Sequence, residues 1–134
     1  MLLGGDSQKR CLNVSDKYHA EDITIHEFAH AIHLIGILPV DTNINMRLQK
    51  SLDDALKKGK WKNTYAGSDL YEYWAEGVQS WFNVNTDVAV ADGTHSPINL
   101  RKELKEYDPQ LYAIIKDYFP EVTEEISCHS VSFE

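Results

Sequence analysis

No apolar run in this chain approaches the ~20 residues of a membrane-spanning helix, so no transmembrane segment is expected. The opening residues Met1 to Asp6 lack the apolar stretch of a secretory leader. That fits either a cytosolic protein or one whose leader has been removed. Basic charge is also scarce: 13 Lys and Arg stand against 21 Asp and Glu, a net charge of -8. With no surplus to neutralise phosphates, a nucleic-acid partner is not expected. The one basic cluster, Lys57, Lys58, Lys60 and Lys62, falls where a helix should end and complements its dipole there. Cysteine is nearly missing. Cys11 and Cys128 permit one disulfide at most, closing a long loop, or are two unrelated thiols. That pair and the sequon Asn13-Val14-Ser15 lean toward secretion over a cytoplasmic location. Neither internal repeats nor low-complexity stretches occur.

What is present is ordinary globular composition, 43% hydrophobic and 25% charged, over 134 residues, which suffices for one domain. Residues 1 to 20 carry few cues, at most a short strand near Leu12 to Val14. From Asp22 to Leu38 the positions Ile25, Phe28, Ala29, Ile32, Leu34 and Ile35 recur at helical spacing, and Pro39 ends the run. A second helix should start with Asp41 or Thr42 as cap and stop at Gly59, its apolar positions being Met46, Leu48, Leu52, Ala55 and Leu56. Trp61 to Ser68 reads as a loop. A third helix follows, capped by Ser68 or Asp69 and burying Tyr73, Trp74, Val78, Trp81 and Phe82. After an irregular stretch from Asn83 to Pro97, Asn99 should cap a short helix to Tyr107. Asp108 and Pro109 then start the last helix, which ends before Pro120. The polar tail after Glu121 is compatible with an extended arm. The expected fold is mainly α.

The chemistry-bearing signal is His26-Glu27-Phe28-Ala29-His30. On a helix, side chains four residues apart share a face, so both imidazoles can meet one ion at about 2.0–2.1 Å per nitrogen. Glu27 lies beside them, placed to take a proton from an activated water. A catalytic zinc needs a third protein ligand and an open position. The metzincin continuation, with Gly at position 33 and His at 36, is excluded by His33 and Gly36. His33 lies too far along the helix to join His26 at one metal and is expected either to be a packed group or to support a ligand from behind. Downstream, Glu72 and Glu76 are four residues apart on one face of the third helix. Two bare carboxylates there would repel one another, so one is expected to bind metal and the other to accept the N–H of a ligand histidine. In the loop from Asn83 to Pro97, Asp87, Asp92 and His95 either line a subsite or merely connect helices.

These motifs resemble the lethal-factor-like zinc peptidases, a gluzincin branch that includes the proline-proline endopeptidases. In that family a tyrosine precedes the ligand glutamate by seven residues, and the glutamate opens a Glu-aromatic-aromatic-Ala-Glu run. Here Tyr65 precedes Glu72 by seven, and Glu72-Tyr73-Trp74-Ala75-Glu76 fits the run. The similarity covers about residues 22 to 82. It implies a zincin-like metallopeptidase domain holding Zn2+ through His26, His30 and Glu72. It further implies that Glu76 supports a ligand histidine, that Glu27 is the general base, and that Tyr65 donates to the oxyanion of a peptide or protein substrate. One departure stands out. The family places a small sheet before the zinc helix, and only 25 residues precede His26 here, so little or no sheet is expected: either the domain is truncated upstream of residue 20, or the sheet is minimal, or substrate binds differently. The rival expectations are a zinc-binding scaffold or recognition domain without activity, and a metal-free helical interaction module.

Overall fold

Aromatic and small residues concentrate between Tyr73 and Trp81, and this stretch becomes the centre of the fold. The structure, a computed structural model, describes residues 23–85, 93 and 96–121. Over these residues the protein is mainly helical. Its α-helices are α1 (Ile23–Ala31), α2 (Ile44–Lys57), α3 (Leu70–Trp81), α4 (Arg101–Tyr107) and α5 (Pro109–Lys116), with no strand among the described residues. A π-helical segment, Ile32–Ile37, extends α1, and a 3-10 turn, Tyr65–Gly67, precedes α3. No helix among the described residues is long and apolar enough to cross a membrane. The expectations for Leu12 to Val14, Asn13, Cys11, Cys128, Asp87, Asp92, His95 and the tail after Glu121 lie outside the described residues.

Every residue of α3 from Tyr73 to Trp81 is buried. The other four helices all pack against it. Gly77 permits the approach of α5: a Cβ there would lie 2.8 Å from Leu111 Cδ2 and from Ile115 Cδ1. The core is completed by Ile44, Leu48, Leu52 and Ala55 from α2, with Leu104, Leu111 and Ile115 from the last two helices.

Helix boundaries follow local chemistry. Asp69 caps α3, its Oδ1 accepting the N–H groups of Tyr71 and Glu72 at 2.9 and 2.8 Å. Gly59, at φ 80°, supplies the left-handed residue just beyond α2. Two starts differ from expectation. The residue preceding α2 is Asn43, whose side chain makes no capping bond; Asp41 Oδ1 instead accepts the Asn43 N–H. The residue preceding α4 is Leu100 rather than Asn99, because Glu103 Oε1 reaches back to both backbone N–H groups at 3.1 Å.

The first helix departs from expectation more instructively. Its hydrogen bonding widens after Ala31, and the Leu38 N–H donates to the His33 carbonyl five residues back, at 2.9 Å. The inward face carries His26, Ala29 and His33, whereas Phe28, Leu34 and Ile35 are exposed. Of the apolar positions that recur at helical spacing, Ala29 is buried and Ile25 and Ile32 pack against the core, while the other three turn outward because histidines share the inward face.

Asp108 ties three elements together from a buried position. It caps α5 through the Leu111 N–H at 3.0 Å, and it accepts from Trp61 Nε1 at 2.8 Å and from the Tyr73 hydroxyl at 2.6 Å. Burial, and then the neighbouring Asp108 carboxylate, push the Tyr73 phenol far above its ordinary pKa, so it stays a proton donor. Asp108→Ala should lower unfolding free energy by about 3 kcal/mol, combining a lost cap with two stranded buried donors. Asp108→Asn, which keeps an acceptor, should lose less; urea unfolding that finds the two variants equal would refute this account.

Candidate metal centre

Two helices distant in sequence build the site. On α1, His26 and His30 stand one turn apart, and on α3 Glu72 sits in the first turn, where the helix dipole favours a carboxylate. Their register is held by Trp74, whose indole N–H donates to the Ala29 carbonyl across 2.8 Å in the interior. Ala29 lies between the two histidines and Trp74 lies two residues beyond Glu72, so this bond brings the three side chains level.

The resulting distances are short. His26 Nε2 lies 3.0 Å from Glu72 Oε2, His30 Nε2 lies 3.3 Å from Glu72 Oε1, and the two Nε2 atoms are 3.2 Å apart. Ligands bound at 2.0–2.1 Å to a tetrahedral zinc stand about 3.3–3.4 Å from one another. The two imidazole nitrogens thus have the spacing of one edge of such a tetrahedron, each faces one oxygen of the Glu72 carboxylate, and single ligand atoms of the three residues lie within 4.8 Å of one another, a group that could hold a metal ion. A proton can bridge only two of these atoms at a time, whereas a divalent cation satisfies all three. His26 is buried, while His30 and Glu72 are partly open, leaving one side of the cluster accessible.

The remaining expected residues are placed unequally. Glu76 is buried, and its Oε1 lies 3.7 Å from His26 Nδ1. A closer partner, absent from the sequence reading, is Gln79, whose Oε1 is 2.7 Å from that nitrogen. The signal that could have found it is spacing: Glu72, Glu76 and Gln79 fall at i, i+4 and i+7 on one face of α3. Glu27 and Tyr65 are exposed, Tyr65 at 49%, and among the described residues no side-chain hydrogen bond or ion pair joins either to the cluster. The turn carrying Tyr65 is shaped by Gly67, where a Cβ would fall 2.2 Å from the Trp61 carbonyl oxygen.

Of the two roles the sequence leaves open for His33, the structure shows the packed one. Fully buried, it lies against Tyr71 and Trp74 with ring centroids 5.5 and 5.7 Å away. Its Nε2 lies 2.6 Å from Asn45 Oδ1 and is the donor, whereas Nδ1 has no hydrogen-bond partner among the described residues. Desolvation lowers its pKa below the ordinary 6.5, outweighing the Asn45 bond that raises it.

Comparison of the chain with protein-family models, curated proteins and solved structures gives no significant match.

The depressed His33 pKa has a stability consequence. The unfolded chain takes up the proton first as pH falls, so the contribution of neutral His33 is complete above about pH 6.5 and declines below it, until the folded form titrates. Unfolding free energy measured between about pH 7 and pH 5.5 should fall less steeply in His33→Phe than in the wild type, by up to about 1.4 kcal/mol per pH unit. Parallel slopes would show that His33 is not held neutral.

Proposed function

We propose that this protein is a zinc-dependent endopeptidase of the lethal-factor-like gluzincin type. The observation that carries the proposal is the convergence of His26 Nε2, His30 Nε2 and the Glu72 carboxylate at 3.0–3.3 Å, from helices whose ligands lie 46 residues apart. A half-open cluster of two imidazoles and a carboxylate is the donor set of a catalytic rather than a structural zinc, which would have four protein ligands.

In this reading His26, His30 and Glu72 hold Zn2+. Zn2+ held there would supply Lewis acidity toward a scissile carbonyl and an attacking water, whose pKa would fall toward ~7. Glu27 takes the proton of the attacking water and passes it to the departing amine. Tyr65 donates a hydrogen bond to the oxyanion as it develops, an interaction worth most in the transition state. Both side chains are exposed and so available to a peptide or protein substrate. The matching tyrosine-to-glutamate spacing and the Glu72 to Glu76 run support assigning the chain to this family.

The ligand geometry also supports a second reading. Among the described residues no side-chain bond joins Glu27 or Tyr65 to the cluster, so the same three groups suit a zinc-binding recognition domain that does not hydrolyse its ligand.

Elemental analysis of purified protein should find about one zinc per chain, strongly reduced in Glu72→Ala and much less in Glu76→Ala. A wild type that takes up no zinc after reconstitution would sink both readings. Against a peptide library, Glu27→Gln should lose about 10²–10⁴-fold in turnover while keeping its zinc. Retained activity in that variant would remove Glu27 from the mechanism, and a zinc-loaded wild type that cleaves nothing would leave the recognition domain.

A further inference from the structure

The His26 imidazole has a second ring nitrogen that the ligand cluster does not use. Two side chains face its Nδ1 from α3: Gln79 Oε1 at 2.7 Å and Glu76 Oε1 at 3.7 Å. Only the first is at hydrogen-bonding distance. The other oxygen of the Glu76 carboxylate, Oε2, is engaged by Asn85. Asn85 Nδ2 donates to Glu76 Oε2 at 2.9 Å and lies 3.3 Å from both the Glu76 carbonyl and Ser80 Oγ. Gln79 itself is fully buried, where an amide must be matched to partners.

We propose that Gln79, and not Glu76, is the positioning residue for His26; the proposal rests on the metallopeptidase reading. A neutral imidazole carries one N–H. The Gln79 carbonyl holds that proton on Nδ1 and thereby leaves the Nε2 lone pair facing His30 and Glu72, as ligation requires. Reversing the amide would place its N–H against Nδ1 and drive the imidazole proton onto Nε2, into the ligand cluster. Glu76, anchored by Asn85, contributes its charge from behind without fixing the ring. The acceptor on His26 is therefore a neutral amide rather than the carboxylate implied by the family resemblance. It orients the ring through a neutral acceptor.

The test compares wild type, Gln79→Met and Glu76→Gln by zinc affinity, using competition with a chromophoric chelator, and by NMR of the histidine ring nitrogens with and without zinc. Gln79→Met, similar in size but without the acceptor, should weaken zinc binding about 10–100-fold, and Glu76→Gln less than about fivefold. In the wild type the His26 ring proton should sit on Nδ1 and exchange slowly, and its protection should vanish in Gln79→Met but persist in Glu76→Gln. Equal affinities in wild type and Gln79→Met, or a larger loss in Glu76→Gln, would overturn the proposal. So would a wild-type His26 protonated on Nε2, a result that needs no variant to fold. A wild type that binds no zinc would instead remove the metallopeptidase reading, and the metal-free spectrum would still report which nitrogen carries the proton.

Discussion

The hydrogen bond from the Trp74 indole to the Ala29 carbonyl sets the relation of the two helices that carry the cluster. A helix advances 5.4 Å per turn, so a slip of one turn between α1 and α3 would take Glu72 out of reach of both imidazoles. Trp74 resists such a slip in two ways. Its ring is fully buried, packed near His33, Tyr118 and Phe119, and its N–H would lose a partner in the interior if the register changed. The 3.0–3.3 Å separations among His26, His30 and Glu72 depend on that clamp.

The same helix serves both packing and chemistry, because its faces divide the labour. Glu72, Glu76 and Gln79 turn toward α1, whereas Tyr73 and Gly77 meet α2 and α5. Burying so many polar groups in one helix is tolerable only where each is matched. Glu76 is met by Asn85, Gln79 by His26, and Tyr73 by Ser51 and Asp108. Asp108 extends this matching to Trp61 and to the start of α5, linking the loop before the Tyr65 turn to the C-terminal helices.

The packed His26, His30 and Glu72 cluster and two exposed side chains make an asymmetric site. His26 is locked from behind, while Glu27 and Tyr65 are open to whatever approaches. In the proposed peptidase this asymmetry is useful: groups that hold a metal gain from preorganisation, and groups that meet the transition state act only once substrate is present.

Local sequence determined a good deal. The four-residue step from His26 to His30 put both imidazoles on one helix face, Asp69 and Asp108 marked their helix starts, and the buried aromatics of α3 were legible from spacing. Each depends on neighbours within a turn or two, where residue type and periodicity carry the information. Only tertiary structure decided the rest. Periodicity placed Glu72 and Glu76 on one face without ranking them, and packing alone put Glu72 against the imidazoles and Gln79 behind His26. The outward turn of Phe28, Leu34 and Ile35 was likewise hidden, because residues that look polar in sequence were drawn inward by partners on another helix. Which face is buried, and which carboxylate meets which nitrogen, depend on contacts across 46 residues, and no local pattern encodes that register.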